Sequence, residues 1–255
     1  MGTSLPSGGP FLYHESMTYI SGFHAMEELL RAGKAGGSTL LVAASGPRIK
    51  RIIELAGKSG IEVHKAQGSE LDKLAPDNRG AALMLKEVPE ASGLDLSDWL
   101  SSELPEQAMV IILDHIEDPH NLGAILRSAD VFGVDLVIMP ERRAAKETDT
   151  VARASAGALA YVPLATVTNL ARALEALKDK GFWAYAADMG GQALPTADLP
   201  RRVVLVMGSE GSGVSRLLKE RCDGILSIPQ HGHVDSLNVS VAAGVFMYEL
   251  RRRRG

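Results

Sequence analysis

The stretch that most constrains this chain lies near its carboxyl terminus, from Ile228 to Gly244, and reads IPQHGHVDSLNVSVAAG. An apolar strand is predicted to end at Ile228 and Pro229, and a loop rich in glycine, histidine and serine follows it. That loop opens a helix of small residues beginning at Val239. In α/β proteins, a strand that empties into a loop before a helix N-terminus is a usual place for a ligand. The pattern therefore predicts the floor of a ligand pocket, with another segment packed close to the helix backbone.

Composition narrows the class of protein. A length of 255 residues allows one large domain or two small ones, and a charged fraction of 23% is ordinary for a soluble globular chain. The longest apolar runs, such as Val203–Met207, are too short to cross a bilayer. A net charge of -4 argues against a uniformly basic nucleic-acid binder and leaves only local patches for such contacts. The single cysteine, Cys222, favours a reducing compartment, so a cytoplasmic location is expected.

Four segments follow from the patterning along the chain. Residues 1–17 have neither the basic start nor the apolar core of a signal peptide, and they are predicted to be a disordered leader or tag. Residues 18–88 alternate helices and strands and predict a small α/β domain. Residues 89–107 are acidic and broken by proline and glycine, which predicts a linker with a helical turn around Trp99. Residues 108–255 predict a larger α/β domain, whose mostly parallel sheet is covered by helices on both faces.

Two local patterns predict specific boundaries. Ser69 is expected to cap a short helix that ends at Leu74. The run Phe182–Ala187 predicts a strand that stops at Ala187.

Polar side chains follow three predicted strands of the larger domain. They are Asn121 and Arg127 after the first, Glu210 after the second, and Ser236 and Asn238 after the third. An arginine near a pocket is usually an ion-pair partner or a phosphate ligand, because its guanidinium stays protonated. This mixture of amides, one acid and one arginine suits an RNA backbone held through phosphate and ribose hydroxyls.

Arginines elsewhere in the chain are candidate contacts for such an RNA. Taken alone, basic residues of this kind are more often an ordinary solvated face. The arginines concerned are Arg48, Arg51, Arg79, Arg142, Arg143 and Arg153.

The turn Gly208–Gly213, GSEGSG, invites comparison with dinucleotide-binding fingerprints. Its glycines are spaced G-x-x-G-x-G rather than G-x-G-x-x-G, and a glycine-rich turn needed only for its backbone geometry is a serious alternative. Glu210 at the tip would repel a pyrophosphate, so the turn favours a ligand other than NAD.

No metal site is predicted. Spacings typical of zinc ligands are absent from the sequence, and the histidines are interpreted as polar loop residues. Asp114, Glu117 and Asp118 could bind magnesium weakly, but a solvated acidic loop is the simpler interpretation. Cys222 lies in a turn between a helix and a strand and is interpreted as a small buried hydrophobe rather than a nucleophile.

Three segments then carry a resemblance to a known family: NLGAILRSA (Asn121–Ala129), VVLVMGSEGSGV (Val203–Val214) and IPQHGHVDSLNVSVAAG (Ile228–Gly244). In this order and spacing they resemble the motifs of the SpoU (TrmH) family. Members are S-adenosylmethionine (AdoMet)-dependent RNA ribose 2'-O-methyltransferases of the SPOUT superfamily. The resemblance extends from Tyr19 to the carboxyl terminus and is strongest to the RlmB-like group, which methylates a guanosine of 23S rRNA.

The resemblance implies a fold and partners. It implies an N-terminal domain similar to ribosomal protein L30e, and a SPOUT domain with a parallel sheet, helices on both faces and a C-terminal trefoil knot, a rare exception to unknotted topology. It also implies a homodimer with the pocket near the interface. The expected substrate is 23S rRNA or a ribosomal precursor, with neither DNA nor a membrane as partner.

The resemblance also assigns roles to residues. Arg127 is implied to activate the ribose 2'-hydroxyl, helped by the substrate phosphate, with Asn121, Glu210, Ser236 and Asn238 as the other catalytic residues. The residues implied to hold AdoMet are Gly208, Glu210, Gly211, Ile228, Leu237, Asn238 and Ser240.

Two short segments depart from the usual family pattern. Asn78-Arg79-Gly80 stands where His-Gln-Gly is frequent, which leaves the substrate contacts open. Gln230-His231-Gly232-His233 stands where Met and a smaller residue are commoner after Ile-Pro.

Three alternative functions stay open. They are a tRNA ribose methyltransferase, a catalytically idle RNA-binding protein of this fold, and an NAD-dependent oxidoreductase.

Overall fold

The computed structural model divides the described residues into two compact units, 17–85 with Tyr161, and 94–254 without Tyr161. The leader predicted over 1–17 lies outside the described residues as far as residue 16. Arg142, Arg143 and Arg153, three of the predicted RNA contacts, also lie outside them. The described residues are 17–76, 78–85, 94–141, 161–233 and 236–254.

The smaller unit is a four-stranded mixed sheet with helices on both faces. In chain order its elements are β1 Thr18–Ile20, α1 Phe23–Arg31, β2 Thr39–Val42, α2 Pro47–Lys58, β3 Glu62–Lys65, α3 Gly68–Leu74 and β4 Ala81–Leu85. The strand order is β1-β4-β2-β3, in which β2 and β3 are parallel and the other pairs antiparallel. Leu41 packs with Leu71 of α3, whereas α1 and α2 pack against each other. Because successive side chains of a strand point to opposite faces, one face of β2 packs against α3 and the other faces the helix pair α1 and α2.

The predicted cap of α3 differs from the structure. The helix begins at Gly68, one residue earlier than expected, and Gln67 stands at its N-cap without a side-chain capping hydrogen bond. Ser69 lies inside the first turn and is not the cap.

The larger unit contains a six-stranded parallel sheet, as the alternation of strands and helices predicts. Its strands are β5 Ala108–Leu113, β6 Leu136–Pro140, β7 Leu164–Val167, β8 Trp183–Ala193, β9 Arg202–Met207 and β10 Gly224–Ser227. Its helices are α4 Leu96–Ser101, α5 Pro119–Val131, α6 Leu170–Lys178, α7 Arg216–Arg221 and α8 Val239–Arg252, with a short 3-10 turn at Leu194–Thr196. The strand order is β10-β8-β9-β5-β6-β7, and every neighbouring pair is parallel.

Helices cover both faces of this sheet, which explains the unbroken apolar run of β5. Val110 and Ile112 belong to one core with Leu100 of α4 and Leu174 of α6. The residues of β5 that alternate with them, Met109, Ile111 and Leu113, point to the other face and are equally buried. On that face α5 and α8 pack against each other.

The second half of the predicted linker is part of the larger unit. Asp95 caps α4 by accepting hydrogen bonds from the backbone amides of Ser97 and Asp98. Trp99 packs against Phe182, with ring centroids 6.1 Å apart. The helical turn expected around Trp99 is therefore a folded element held by an aromatic contact.

The carboxyl end of α8 is tied to the sheet by charged side chains. Arg254 donates a hydrogen bond of 2.9 Å from Nη2 to the carbonyl of Ala108, at the start of β5. Glu249 accepts from Arg252 and Arg253, which lowers the pKa of its carboxyl to about 2. Arg253 donates to carbonyl oxygens just after β8 as well. These contacts fix the position of α8 beside α5, where the polar site lies.

Among the described residues, no helix combines the length and apolar composition needed to cross a membrane.

Candidate active site

The loops that follow β5, β9 and β10 are neighbours because these strands end at the same edge of the parallel sheet. From β5 the chain passes through α5 to β6 on one side, whereas β9 pairs with the other side of β5. In an open α/β sheet, ligands bind outside the carboxyl ends of the strands at such a divergence. The topology thus brings the three predicted polar loops together.

The turn after β9 is closed by its own backbone. The amide of Gly213 donates a 2.9 Å hydrogen bond to the carbonyl of Ser209. A Cβ on Gly208 would overlap the backbone of Gly213 and Val214, and Gly213 has a left-handed φ of 65°. Gly211 has open space around it. Two of the glycines are therefore needed for the geometry of the turn, and the tip remains free to face a ligand.

Asp114 holds this turn to the end of β5, contrary to its interpretation as part of a solvated acidic loop. Its side chain is only 2% exposed. One carboxylate oxygen accepts a 2.7 Å hydrogen bond from the amide of Ser215, and the other lies 2.5 Å from Nδ1 of His115. Asp118 has a local role too, because it caps α5 by accepting from the amide of His120. Asn121 is thereby placed in the first turn of α5.

Glu210 joins all three loops through one oxygen atom. Its Oε1 accepts hydrogen bonds from Nδ2 of Asn121 at 3.2 Å, from Nδ2 of Asn238, and from the amide of Val239 at 3.4 Å. Asn238 also donates to Oδ1 of Asn121 at 3.0 Å. A carboxylate can accept several donors at once, and such charge-assisted bonds are stronger than neutral ones. Three residues distant in sequence thus form one closed network.

Asn238 is also the N-cap of α8. Its Oδ1 accepts from the amides of Ser240 and Val241 and from the hydroxyl of Ser240. Its amide therefore uses its oxygen for the helix and its nitrogen for the network with Glu210. Ser240, predicted to bind a cofactor, is occupied in this cap.

A cavity of about 800 Å³ lies beside the network. Its walls come from the end of β8, the turn after β9, the loop after β10 and the first two turns of α8. A volume of this size is typical of sites for drug-sized ligands. The predicted residues that line the cavity are Gly208, Glu210, Gly211, Ile228, Ser236 and Leu237.

Four described residues predicted for the site, Asn121, Arg127, Asn238 and Ser240, stand outside the cavity wall. Asn121 and Asn238 reach the cavity only through Glu210. Arg127 is exposed on α5, six residues beyond Asn121. With a rise of 1.5 Å per residue, it lies roughly 9 Å further along the helix axis. Arg127 can therefore meet a substrate that approaches from outside the cavity.

A bulge in β8 forms one cavity wall that the sequence did not predict. The strand continues past Ala187, where it was expected to stop, as far as Ala193. Its pairing with β10 moves from Ala186 directly to Gln192, so residues 187–191 bulge out of the ladder. Gly191 lies so close to Ile225 that no Cβ would fit. The glycine pair at 190–191 was the available sequence signal, because glycine inside a strand often marks a bulge.

The bulge places Asp188 on the wall of the cavity, next to Lys219 of α7, which also lines the cavity. The ammonium of Lys219 donates to Oδ2 of Asp188. Neither residue was among the candidate residues, because their contact depends on the bulge.

In the smaller unit, three arginines surround one buried carboxylate. Glu27 is 5% exposed, and its oxygens lie 3.3 Å from Arg31, 3.6 Å from Arg48 and 4.0 Å from Arg51. Arg48 also donates to Nε2 of His24 at 2.8 Å. Oε1 of Glu27 has no hydrogen-bond partner. Two predicted RNA contacts, Arg48 and Arg51, thus belong to a single cluster.

Arg79 is presented by a turn that Asn78 organises. Asn78 accepts from the amide of Gly80 at 2.6 Å and donates to the carbonyl of Ala75. Arg79 has a left-handed φ of 49° and is exposed. Gly80 packs on Ala44 without room for a Cβ. The sequence Asn-Arg-Gly therefore forms a tight turn that presents its arginine to solvent.

Cys222 is half-buried beside the larger core, and burial together with the nearby carboxylate of Asp223 raises the pKa of its thiol to about 12. A protonated thiol is a poor nucleophile, which fits its interpretation as a packing residue. Among the described residues there is no group of three or more His, Cys, Asp or Glu side chains that could hold a metal ion.

The small residues of α8 are less tightly packed than their composition indicates. A Cβ on Gly244 would lie 3.6 Å from Oγ of Ser128 in α5, which is an ordinary contact. On another side of the helix, Val241, Val245 and Tyr248 are exposed at spacings of four and three residues. They form an apolar stripe on the surface of this unit.

Comparison with known proteins agrees with this geometry. The sequence profile of the SpoU rRNA methylase family matches residues 108–248, and that of the RNA 2'-O ribose methyltransferase substrate-binding domain matches residues 19–88. A Bacillus subtilis protein described as a TrmH family tRNA/rRNA methyltransferase is 42% identical over 206 residues, which is 80% of this chain and 83% of the relative.

Two solved structures show how far the fold is shared. An AdoMet-bound rRNA methyltransferase from Sinorhizobium meliloti is 23% identical, with a TM-score of 0.69 over 93% of this chain and 87% of its own. A TrmH/SpoU tRNA-modifying enzyme from A. aeolicus is 28% identical, with a TM-score of 0.53 over 63% of this chain and 85% of its own. With its three motifs joined at Glu210 and both of its units matched by family profiles, the chain belongs to the SpoU (TrmH) family of RNA 2'-O-ribose methyltransferases.

Proposed function

We propose that this chain transfers a methyl group from AdoMet to the ribose 2'-hydroxyl of a guanosine in 23S rRNA. The observation that carries the methyltransferase assignment is the Glu210 network beside a ligand-sized cavity. Support for a ribosomal substrate comes from the share of this chain that each of the two solved structures matches. The rRNA methyltransferase structure matches 93% of this chain, whereas the tRNA-modifying enzyme matches 63%.

The cavity residues fit AdoMet by their chemistry. Leu237, Val239 and Phe246 supply an apolar surface suited to an adenine ring. Gly208 lines the cavity without a side chain, so its backbone groups are available to bond the polar edge of an adenosine. AdoMet would supply a methyl group activated on a sulfonium. We propose that Gly208, Gly211, Ile228 and Leu237 hold its adenosine part.

The chain's own task is to orient the ribose and to assist loss of its proton. The Glu210 network holds Asn121 and Asn238 in fixed positions at the edge of the cavity. Such preorganisation lowers the barrier because the reacting groups need not be ordered during the reaction. Exposed Arg127 would bind the phosphate next to the target ribose and stabilise the charge that develops on the 2'-oxygen. As that oxygen takes the methyl group and S-adenosylhomocysteine leaves, the hydroxyl proton would pass to solvent water at this exposed edge. Ser236 would contact the ribose from the loop after β10.

The arginine cluster of the smaller unit is proposed to bind RNA phosphates. Arg48 and Arg51 lie in the first turns of α2, where the helix already has a partial positive charge and no acidic residue. Cations are unfavourable there, so Glu27 is needed to hold them. A helix N-terminus with converging arginines is a site for an anion, and RNA offers phosphates. Arg79 would extend this surface.

The chain is also proposed to be a knotted homodimer. The apolar stripe Val241, Val245 and Tyr248 supplies a surface for a second copy next to the cavity wall. Support for the knot comes from topology: β10 pairs at the sheet edge with β8, yet α8 packs beside α5. Because β8 and β9 separate β10 from β5 in the sheet, this connection is a long crossover, and a crystal structure of the chain would test whether it threads a knot.

Purified protein with labelled AdoMet should methylate 23S rRNA or a ribosomal precursor from a strain lacking the gene, at a ribose 2'-hydroxyl of one guanosine. Mass spectrometry of nuclease fragments would identify the nucleotide. Methylation of tRNA alone would favour the tRNA alternative. Absence of AdoMet binding by calorimetry would favour the idle RNA-binding alternative.

Replacement of Arg127 by Ala should lower kcat by about 100-fold or more, the scale of a lost proton-transfer or charge-stabilising group. AdoMet affinity should stay unchanged, because Arg127 does not line the cavity. Arg172→Ala is the matched control, since Arg172 is also exposed on a helix of the same unit. Full turnover by Arg127→Ala with normal RNA binding would refute the role.

The double variant Arg48→Ala/Arg51→Ala should bind RNA more weakly and with a smaller salt dependence. Each phosphate that the protein no longer neutralises should reduce the slope of log K against log salt by about 0.7 to 0.9. Fluorescence anisotropy over a salt series measures this slope, with Lys58→Ala at the other end of α2 as control. An unchanged slope in a variant that unfolds at the normal temperature would contradict the assignment.

Val245→Lys should convert a dimer to a monomer, because a charge in an apolar interface loses its solvation. Sedimentation velocity measures the change, and Leu217→Lys on exposed α7 is the control. Wild-type protein that sediments as a monomer at all concentrations would exclude the homodimer.

A further inference from the structure

Among the residues that the structure describes, three charged side chains line the cavity, and the Glu210 network includes only one of them. Glu210 is bonded to Asn121 and Asn238, whereas Asp188 and Lys219 are paired with each other. They come from different elements, the β8 bulge and α7. An acid and a base side by side on a cavity wall are complementary to a ligand that also has adjacent opposite charges.

Asp188 is held in position by its surroundings. Its Oδ1 accepts a 2.7 Å hydrogen bond from the amide of Met189. Its Oδ2 lies 3.5 Å from the place where a Cβ on Gly213 would stand, so the carboxylate lies against the turn after β9. The bulge therefore directs a fixed carboxylate toward the turn that we assign to adenosine binding.

Both charged groups can bind a further partner without separating. A carboxylate has about four acceptor sites, and an ammonium has three donors. The hydrogen bonds described for Asp188 use one site on each oxygen, and its bond from Lys219 uses one ammonium donor. The side chains are 23% and 35% exposed, so both reach solvent. A ligand's charged groups can thus add to the pair rather than replace it.

We propose that Asp188 and Lys219 form the subsite for the amino-acid end of AdoMet. Asp188 accepts from the α-ammonium and Lys219 donates to the α-carboxylate, so opposite charges alternate around the four groups. This inference rests on the proposed use of AdoMet and adds the residues that recognise its tail. Because AdoMet and its product S-adenosylhomocysteine share this tail, the pair acts on binding and leaves the methyl-transfer step unchanged.

Two ligands that differ only in the tail test the subsite. S-adenosylhomocysteine has the amino-acid end, whereas 5'-methylthioadenosine has the same thioether adenosine without it. Asp188→Asn and Lys219→Met should each weaken binding of S-adenosylhomocysteine by about tenfold, the scale of one charge-assisted hydrogen bond. Binding of 5'-methylthioadenosine should change less than about twofold, within the variation of a surface substitution. Isothermal titration calorimetry on the full chain measures both affinities.

Glu220→Gln is the matched control, because it removes an exposed ion pair with Arg216 on the same helix outside the cavity. A purely structural role for Asp188 and Lys219 would weaken both ligands equally, and no role would leave both unchanged. Either result overturns the proposal. If wild-type protein bound 5'-methylthioadenosine as tightly as S-adenosylhomocysteine, the tail would have no subsite, although the adenosine assignment would stand. Failure of wild-type protein to bind either ligand would overturn AdoMet use and the subsite together.

A kinetic readout separates binding from chemistry. Loss of an interaction made equally in the ground state and the transition state raises KM and leaves kcat unchanged. Both variants should therefore reach wild-type kcat at saturating AdoMet. A fall in kcat at saturation would contradict a role confined to binding the tail.

Discussion

The candidate site depends on one carboxylate oxygen, Oε1 of Glu210. It accepts from side chains on two other loops and from the first amide of α8. A single anionic acceptor can hold several donors because its lone pairs are distributed around it, whereas a neutral amide oxygen would hold them more weakly. Without this acceptor, the hydrogen bond between Asn121 and Asn238 would remain, but neither side chain would be bonded to the turn after β9. The joint arrangement of the three motifs is therefore an electrostatic consequence of one residue at the tip of a glycine turn.

The parallel sheet makes this meeting possible. The six described strands of the larger unit's sheet run in the same direction, so the loops after β5, β9 and β10 emerge at one edge. Buried Asp114 then joins the end of β5 to the amide of Ser215, just beyond the glycine turn. At the far end of α8, Arg254 returns to the start of β5. The polar network is thus supported at both ends of the helix that it caps.

Much of the fold and part of the site can be predicted from the chain alone. Unbroken apolar strands such as Ala108–Leu113 predict a sheet covered on both faces, because such strands have no side suited to water. The three polar motifs are visible as residue types after strands. The β8 bulge is not predictable in the same way, because the close contact of Gly191 with Ile225 depends on a strand more than thirty residues away. For the same reason Asp188 and Lys219 could not be recognised as neighbours.

The burial of individual acidic side chains could not be predicted from the sequence. Asp114 belongs to a segment whose composition indicates a solvated acidic loop, yet its side chain is buried between β5 and the turn after β9. Glu27 has the appearance of an ordinary helix-surface acid, yet three arginines on two helices surround it. The order of elements, the parallel sheet and the identity of the motif residues could be derived from the chain alone, since they follow from local periodicity and residue type. Which charges meet became clear only from the folded molecule, because such pairings join residues far apart in the chain and form only once the elements have packed.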